Sequence, residues 1–135
     1  MSALVTAGTA LAGPDGTAAL VCGDPTSTEA VSAALVTRGC RLLENGATVD
    51  PGTLEVSGAE VVLLVVLTPQ PDGTAVRPMS AGEAAYAVGS RATGLSEVDG
   101  GPLPALARFG RRVRGFALSS ADPDAAAREV LRLWA

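Results

Sequence analysis

The residues best suited to chemistry stand at one predicted strand-to-helix junction, which runs from Cys22 to Ser27. A thiol at the N-terminus of a helix can have a lowered pKa and act as a nucleophile. A nucleophilic cysteine also needs a nearby base, and the chain has no histidine to supply an imidazole. We therefore interpret Cys22 as a packed residue at the end of a strand, and Cys40 as a core residue.

The same junction could present backbone N–H groups to an anion. Against that function, Asp24 would repel a phosphate and Pro25 removes one donor. The chain also lacks a Gly-x-Gly-x-x-Gly motif and has no lysine for a phosphate-binding loop. We expect Asp24 to cap a helix, and a cofactor site is only a weak alternative, formed by Gly23, Asp24, Thr26 and Ser27.

Metal and cofactor chemistry find little support in the rest of the chain. The acidic residues are spread out, and two cysteines make neither a disulfide framework nor a zinc site. We expect no metal, no cofactor and no catalytic residue. An enzyme that works without histidine remains open, with Cys22, Asp24 and Ser27 as its candidates.

Arginine supplies all ten basic residues, a bias typical of GC-rich coding sequence. The net charge of −4 argues against a nucleic-acid partner, which requires a basic face. A local cluster is the exception, and it indicates either a solvated helix end or a patch for an acidic partner: Arg108, Arg111, Arg112 and Arg114. Trp134 is interpreted as the hydrophobic anchor of the last helix, or as an interface residue if it is exposed.

Turn and capping signals divide the chain into strands and helices. Gly13 to Gly16 predicts a β-hairpin between strands at 3–11 and 16–22. Asp24 begins a helix that stops at Gly39, and a strand follows at 40–43. A short strand is expected at 54–56, and the continuously apolar run Val61–Leu67 is expected to be the central strand.

The second half begins with residues 69–78, which carry three prolines and are predicted to form an exposed loop. Ser80 and Glu83 have capping-box spacing and begin an alanine-rich helix that runs to about Thr93. A Gly/Pro turn at 100–104, a short helix ending near Gly110, a strand at 113–118 and a last helix capped by Asp122 complete the chain. In that last helix Asp124 and Arg128 are spaced to pair.

The resulting order, ββαβ(β)βααβα, favours a single layered α/β domain over residues 1–135. Its first residues lack the basic start and apolar run of a signal peptide. The run Val61–Leu67 is also too short to span a membrane, so we expect a cytoplasmic protein with reduced thiols.

The order of segments resembles the later part of a β-ketoacyl synthase or chain-length factor, the condensing enzymes of fatty-acid and polyketide assembly. The hairpin element of that family is similar to Gly13-Pro14-Asp15-Gly16-Thr17-Ala18-Ala19-Leu20-Val21. Further segments that match in order are Arg38-Gly39, Gly46-Ala47-Thr48-Val49-Asp50, Thr68-Pro69-Gln70-Pro71-Asp72-Gly73, the helix with Met79, Ala81, Ala84 and Ala85, Gly94-Leu95-Ser96 with Asp99, Ala107-Arg108-Phe109-Gly110, and Ser119-Ser120 before the helix with Ala125-Ala126-Ala127 and Leu131. The resemblance implies a truncated thiolase-like layered sandwich.

The departures from the family pattern determine the function that the resemblance implies. The half with the nucleophilic cysteine would lie upstream of Met1. The first histidine motif belongs after Asp99, where Gly100-Gly101-Pro102-Leu103 stand. The lysine and second histidine belong after Ser120, where Ala121-Asp122-Pro123 stand. No catalytic residue carries over.

We therefore expect a non-catalytic, ketosynthase-like accessory protein of polyketide (antibiotic) or fatty-acyl biosynthesis that acts by association. Its partner would be a ketosynthase subunit, an acyl carrier protein or a second copy in a homodimer. The candidate surfaces are the hairpin edge from Leu4 to Leu11, the alanine-rich helix at 81–93 and the arginine cluster. The alternative is a small-molecule-binding, Rossmann-like domain that uses the loop at 23–27 and has a pocket at the carboxyl ends of the strands.

Overall fold

The computed structural model describes residues 4–6, 8–13, 15–45, 48–50, 53–69, 73–93 and 102–134. Over these residues the chain is a mixed α/β structure with a mixed sheet and four helices. The elements are β1 (Leu4–Thr6), β2 (Thr9–Ala12), β3 (Ala18–Cys22), α1 (Pro25–Thr37), β4 (Arg41–Asn45), β5 (Thr48–Val49), β6 (Glu55–Val56), β7 (Ala59–Pro69), β8 (Thr74–Met79), α2 (Ala81–Gly89), β9 (Ala92–Thr93), α3 (Pro102–Arg112), β10 (Arg114–Ser120) and α4 (Pro123–Trp134).

The main sheet has the strand order β4-β2-β3-β7-β10-β8, and β6 pairs with the start of β7. Strand β7 runs parallel to both β3 and β10, which confirms the run Val61–Leu67 as the central strand. Strands β2, β4 and β8 are antiparallel to the strands beside them. A separate small sheet has the order β5-β1-β9.

Helices cover both faces of the main sheet because alternate side chains of each strand point to opposite faces. Leu63, Val65 and Leu67 of β7 pack in a core cluster with α1 and α4. Leu64 belongs to a second cluster with α2, α3 and the strands β5 and β6. We call these two sides of the sheet the α1–α4 side and the α2–α3 side.

The local sequence signals account for most of the boundaries. In the β2–β3 hairpin the Gly13 N–H donates to the Thr17 carbonyl at 2.9 Å. Gly16 takes a positive φ of 84°, which glycine adopts without strain. Asp24 caps α1, with Pro25 at its start, and a capping box of Ser80 and Glu83 begins α2. At the start of α4 the Asp124 N–H donates to the Asp122 side chain, as the sequence predicts.

Four predictions about the elements were wrong. Residues 3–11 are not one strand, because β1 pairs in the small sheet and β2 in the main sheet. Residues 74–78, part of the predicted loop at 69–78, belong to β8, where the edge position tolerates Pro78. Helix α2 ends at Gly89 and Ala92–Thr93 pair with β1, so the helix does not reach Thr93. Helix α3 already begins at Pro102, inside the predicted turn at 100–104, whose residues 100 and 101 lie outside the described ranges.

The predicted order ββαβ(β)βααβα therefore lacks four of the observed strands. Two of them are β8 and β9. The other two are the extra strand that results from the break in 3–11 and one of the two short strands that precede β7. All four are six residues or shorter and lie at an edge of the main sheet or in the small sheet. None of the described helices has the length and apolar character needed to cross a membrane.

Candidate functional site

Helices α2 and α3 lie unusually close together because glycines stand at their contact. A Cβ atom on Gly110 of α3 would overlap the backbone carbonyl of Ala81. A Cβ atom on Gly89 of α2 would lie 3.1 Å from the Leu106 side chain, tighter than an ordinary contact. Small residues on α2 thus permit the close approach that the sequence predicts for its alanine-rich face, of which Ala84, Ala87 and Val88 are buried.

Outside this contact the two helices form an open apolar groove of about 840 Å³. Its walls come from the small residues of α2 and from Leu106, Ala107 and Arg111 of α3. Tyr86 stands on the α2 wall with 77% of its surface exposed, a high fraction for a large apolar side chain. An exposed aromatic side chain beside an apolar groove is typical of protein interaction sites.

The arginine cluster does not form one patch. Only Arg111 lines the groove, and the exposed Arg112 follows it at the end of α3. Neither has a carboxylate within salt-bridge distance among the described residues. Arg108 is half-buried and already takes part in an interaction within the chain. Arg114 instead contacts the end of α4, where it donates to the Trp134 carbonyl at 3.2 Å.

Trp134 is the anchor of α4 and is not an exposed interface residue. The side chain is 6% exposed and packs against the backbone of Gly13, where a Cβ atom would come within 2.8 Å of the indole ring. Its Nε1–H donates to Thr17 Oγ1 at 2.9 Å, and the Thr17 hydroxyl donates to Asp15 Oδ1 at 2.7 Å. This burial fits the anchor interpretation, and the exposure that the interface alternative requires is not observed.

A second cleft, of about 470 Å³, lies across α2 from the groove and shares Gly82 and Tyr86 with it. Its apolar lining includes Val66 of β7, Ala117 of β10 and Met79 of β8. Among the described residues, the charged side chains that line this cleft are Arg77, Glu83 and Arg91. Arg77 Nη1 lies 3.0 Å from Glu83 Oε2, and Arg91 donates to the Ala87 carbonyl at 2.9 Å.

Glu83 stays ionised in this cleft. The hydrogen bond from the Ser80 backbone N–H, followed by the bond from Arg77, holds the pKa of Glu83 below its usual range. The lining therefore carries two guanidinium charges against one carboxylate.

Cys22 is placed as the sequence predicts, at the buried end of β3, with 1% of its surface exposed. Burial raises the pKa of its thiol to about 11, and the nearby Arg91 charge offsets only part of that rise. Burial also raises the pKa of Cys40, which packs in the core of the α1–α4 side. A thiol with so high a pKa is a poor nucleophile near neutral pH.

In the loop at 23–27, the side chain that caps α1 already occupies a backbone donor that an anion would need. Asp24 Oδ2 accepts from the Ser27 N–H at 3.0 Å, so this carboxylate occupies the place that an anion would take. Hydrogen bonds from Ser27 hold the pKa of Asp24 below its usual range, which keeps the negative charge there. The cavity beside Ser27, at the carboxyl ends of β7 and β10, measures about 60 Å³. That volume holds a few waters and is far below the roughly 300–1,000 Å³ of small-molecule sites.

The edge of the hairpin, proposed from the sequence as an interaction surface, is not free. Strand β2 pairs with β3 on one side and β4 on the other, and β1 pairs with β5 and β9. The true outer strands of the main sheet are β4 and β8. A register shift interrupts the β4 pairing, and β8 carries Pro78, so both strands have features that discourage further pairing.

Sequence reasoning missed two functional candidates, Tyr86 and Arg91. The signal for Tyr86 was present, since it is the only tyrosine of the chain and interrupts an alanine-rich helix. Arg91 gave no signal, because its place beside the cleft depends on α2 ending at Gly89. Within the part of the chain that the structure describes, no group of three or more potential metal ligands occurs.

Comparison of the chain with protein-family models, with curated proteins and with solved structures gives no match in any of the three.

Proposed function

We propose that this chain is a non-catalytic accessory protein of polyketide or fatty-acyl assembly, and that it docks an acidic acyl carrier protein on the α2–α3 groove. The proposal includes the finer fold assignment, a truncated thiolase-like sandwich. The observation that carries the docking site is the exposed Tyr86 beside an apolar groove of about 840 Å³.

The charge at the groove favours an acidic partner. The chain has a net charge of −4, yet Arg111 lines the groove and Arg112 extends its basic end. Both guanidinium groups lack a carboxylate partner among the described residues. Complementary charge at the rim of an apolar site steers association and selects the partner.

The shape of the groove favours a helix as the bound element. An amphipathic helix binds by laying apolar side chains into a groove between helices, with polar groups at the rim. Ala81, Gly82 and Ala85 give a shallow wall, and Tyr86 offers an aromatic contact on one side. A partner helix with apolar residues on one face and carboxylates at one end fits this surface.

The positions at which the family has its catalytic motifs support a non-catalytic function, because other residues stand there in this chain. The residues after Ser119-Ser120, where a condensing enzyme has its lysine and second histidine, begin α4 instead. The Ser120 hydroxyl accepts from the Asp122 N–H at 3.1 Å, and Asp122 in turn accepts from the Asp124 N–H at 3.0 Å. Decarboxylative condensation requires a thiolate and imidazoles, and this chain has a buried thiol and no histidine.

The test measures the affinity of the purified chain for the acyl carrier protein and the ketosynthase encoded beside its gene, by isothermal titration. We expect saturable binding of the carrier protein, weakened at least tenfold by Arg111→Glu and by Tyr86→Ala. Arg128→Glu is the matched control, because it changes the same charge on the exposed face of α4 and should leave the affinity within twofold.

Equal losses in Arg111→Glu and Arg128→Glu would show only nonspecific attraction and would overturn the docking site. Binding of the ketosynthase alone, or a stable homodimer that ignores the carrier protein, would overturn the choice of partner. Turnover of an acyl thioester that is lost in Cys22→Ala would overturn the non-catalytic assignment.

A further inference from the structure

The second cleft, which Arg91 lines, differs from the groove in the charged residues of its lining and in its floor, which the main sheet forms. It lies over the main sheet, where Val66 and Ala117 are only half-buried and Met79 forms one side. At about 470 Å³ it lies within the size range of small-molecule sites. The cleft therefore has both the room and the apolar surface to cover the body of a small ligand.

Among the described residues, Arg91 is a charged residue of this cleft without an ion-pair partner. Its guanidinium is half-buried and bonds only to neutral groups, the Ala87 carbonyl at 2.9 Å and Ser90 Oγ at 3.4 Å. No carboxylate of the described residues lies within salt-bridge distance of it, whereas Arg77 is already bridged to Glu83. Charges withdrawn from water in proteins are normally paired, so an unpaired guanidinium in a cleft favours a bound anion.

The charge balance of the lining limits the ligand to a monoanion. Among the described residues, the charged side chains that line the cleft are Arg77, Glu83 and Arg91, and one carboxylate would neutralise their net charge of one positive unit. A more highly charged anion would also meet Glu83. The planar guanidinium matches a carboxylate, with which it can form two parallel hydrogen bonds.

We propose that this cleft is a binding site for a small monocarboxylate with an apolar body. Arg91 holds the carboxylate, and Val66, Met79 and Ala117 cover the apolar part. The two sites share Gly82 and Tyr86. The proposal does not depend on the docking function, because it is argued from Arg91 and the sheet surface, whereas docking is argued from Arg111 and α3. Either one can fail while the other holds.

The test follows backbone amide shifts of the ¹⁵N-labelled chain during titration with hexanoate, with 1-hexanol as the uncharged match. We expect saturable shifts at residues 77, 79, 87–91 and 116–118 with hexanoate, and at least tenfold weaker binding of hexanol. Arg91→Gln should weaken hexanoate binding at least tenfold, as expected for the loss of a charge-assisted hydrogen bond. Arg128→Gln, the same change on α4, should leave it unchanged.

A second variant separates binding from folding, because Arg91 also bonds to the end of α2. Ala117→Leu narrows the floor of the cleft at a half-exposed strand position and changes no charge. We expect it to weaken hexanoate binding as well, with an otherwise native spectrum. Absence of saturable shifts, equal binding of hexanol, or undiminished hexanoate binding in Arg91→Gln and Ala117→Leu would each overturn the proposal.

Discussion

The helix pairs on the two sides of the main sheet pack differently, although both sides bury large side chains such as Leu63 and Phe109. On the α1–α4 side, leucines and Trp134 fill the space, and a cavity of about 60 Å³ remains beside the two helix starts. On the α2–α3 side, alanine and glycine on α2 bring the helices together and leave a groove of about 840 Å³. One sheet thus carries a closed, anchoring side and an open side that is available to bind.

This difference predicts that the buried Trp134 anchor contributes strongly to stability, whereas the exposed groove surface of α2 and α3 serves binding. Large buried side chains contribute most to stability, whereas open surfaces with small residues contribute little. The following experiments test that division.

Trp134→Ala should have the largest effect. The change removes a buried ring and leaves the Thr17 hydroxyl without its indole donor. We expect a loss of about 3–5 kcal/mol in the free energy of unfolding, measured by urea denaturation. Tyr86→Ala, the aromatic truncation on the open side, is the matched control and should cost below about 1 kcal/mol. Comparable losses in the two variants would contradict the division.

Alkaline pH should weaken the fold through Cys22 on the α2–α3 side. The folded thiol has a pKa of about 11 against 9.0 for the unconstrained group, so the unfolded chain ionises first. Stability is therefore full below pH 9 and falls as the pH rises from 9 to 11, by on the order of 2 kcal/mol.

The measurement for Cys22 is urea denaturation of the native chain and of Cys22→Ala across that pH range. The variant should lose most of the slope, and the remainder is expected from Cys40, whose pKa is raised as well. The chain has no lysine, a residue that would otherwise titrate in the same pH range. An identical pH slope in the variant would show that the Cys22 thiol is not buried as described.

Two glycine-to-alanine changes on the open side should have opposite signs. Gly110→Ala places a Cβ atom against the Ala81 carbonyl, so α3 must move and we expect a cost of about 1–3 kcal/mol. Gly82→Ala meets nothing within 4 Å and should stabilise the helix by about 0.5–1 kcal/mol. Thermal melts of the two variants compare them directly, and equal shifts would contradict the close packing of α2 and α3.

The smallest effect is expected from the ion pair that joins α1 to α4. Arg38 Nη1 lies 3.2 Å from Asp124 Oδ1, and both groups are partly exposed. Asp124→Asn should cost below about 1 kcal/mol, and the difference should vanish in 1 M salt. A larger loss that persists at high salt would show that the contact depends on more than surface charge.

The sequence predicted those parts of the fold that local chemistry determines. The hairpin turn, the caps of α1, α2 and α4, and the buried central strand each follow from a few neighbouring residues. The prediction failed where tertiary pairing decides the structure. The prolines of residues 69–78 suggested a loop, but the backbone of β8 in this segment pairs with β10. The prediction likewise paired Asp124 with Arg128 on one helix, whereas the structure pairs it with Arg38 of another.

The candidate sites were predicted only in part. The alanine-rich helix and Arg111 were singled out from the sequence, and the structure brings them together in one groove. The arginine cluster itself was divided, because Arg108 turns inward and Arg114 reaches the end of α4. Neighbours in sequence on a helix and the following strand point in different directions, and this depends on packing that spacing alone cannot show.

Hydrogen–deuterium exchange of the chain with and without the acyl carrier protein tests the docking surface most directly. We predict that the carrier protein slows exchange in peptides that cover α2 and α3 and leaves exchange in α1 and α4 unchanged. Protection confined to α1 and α4, or none at a carrier-protein concentration that saturates binding, would contradict it.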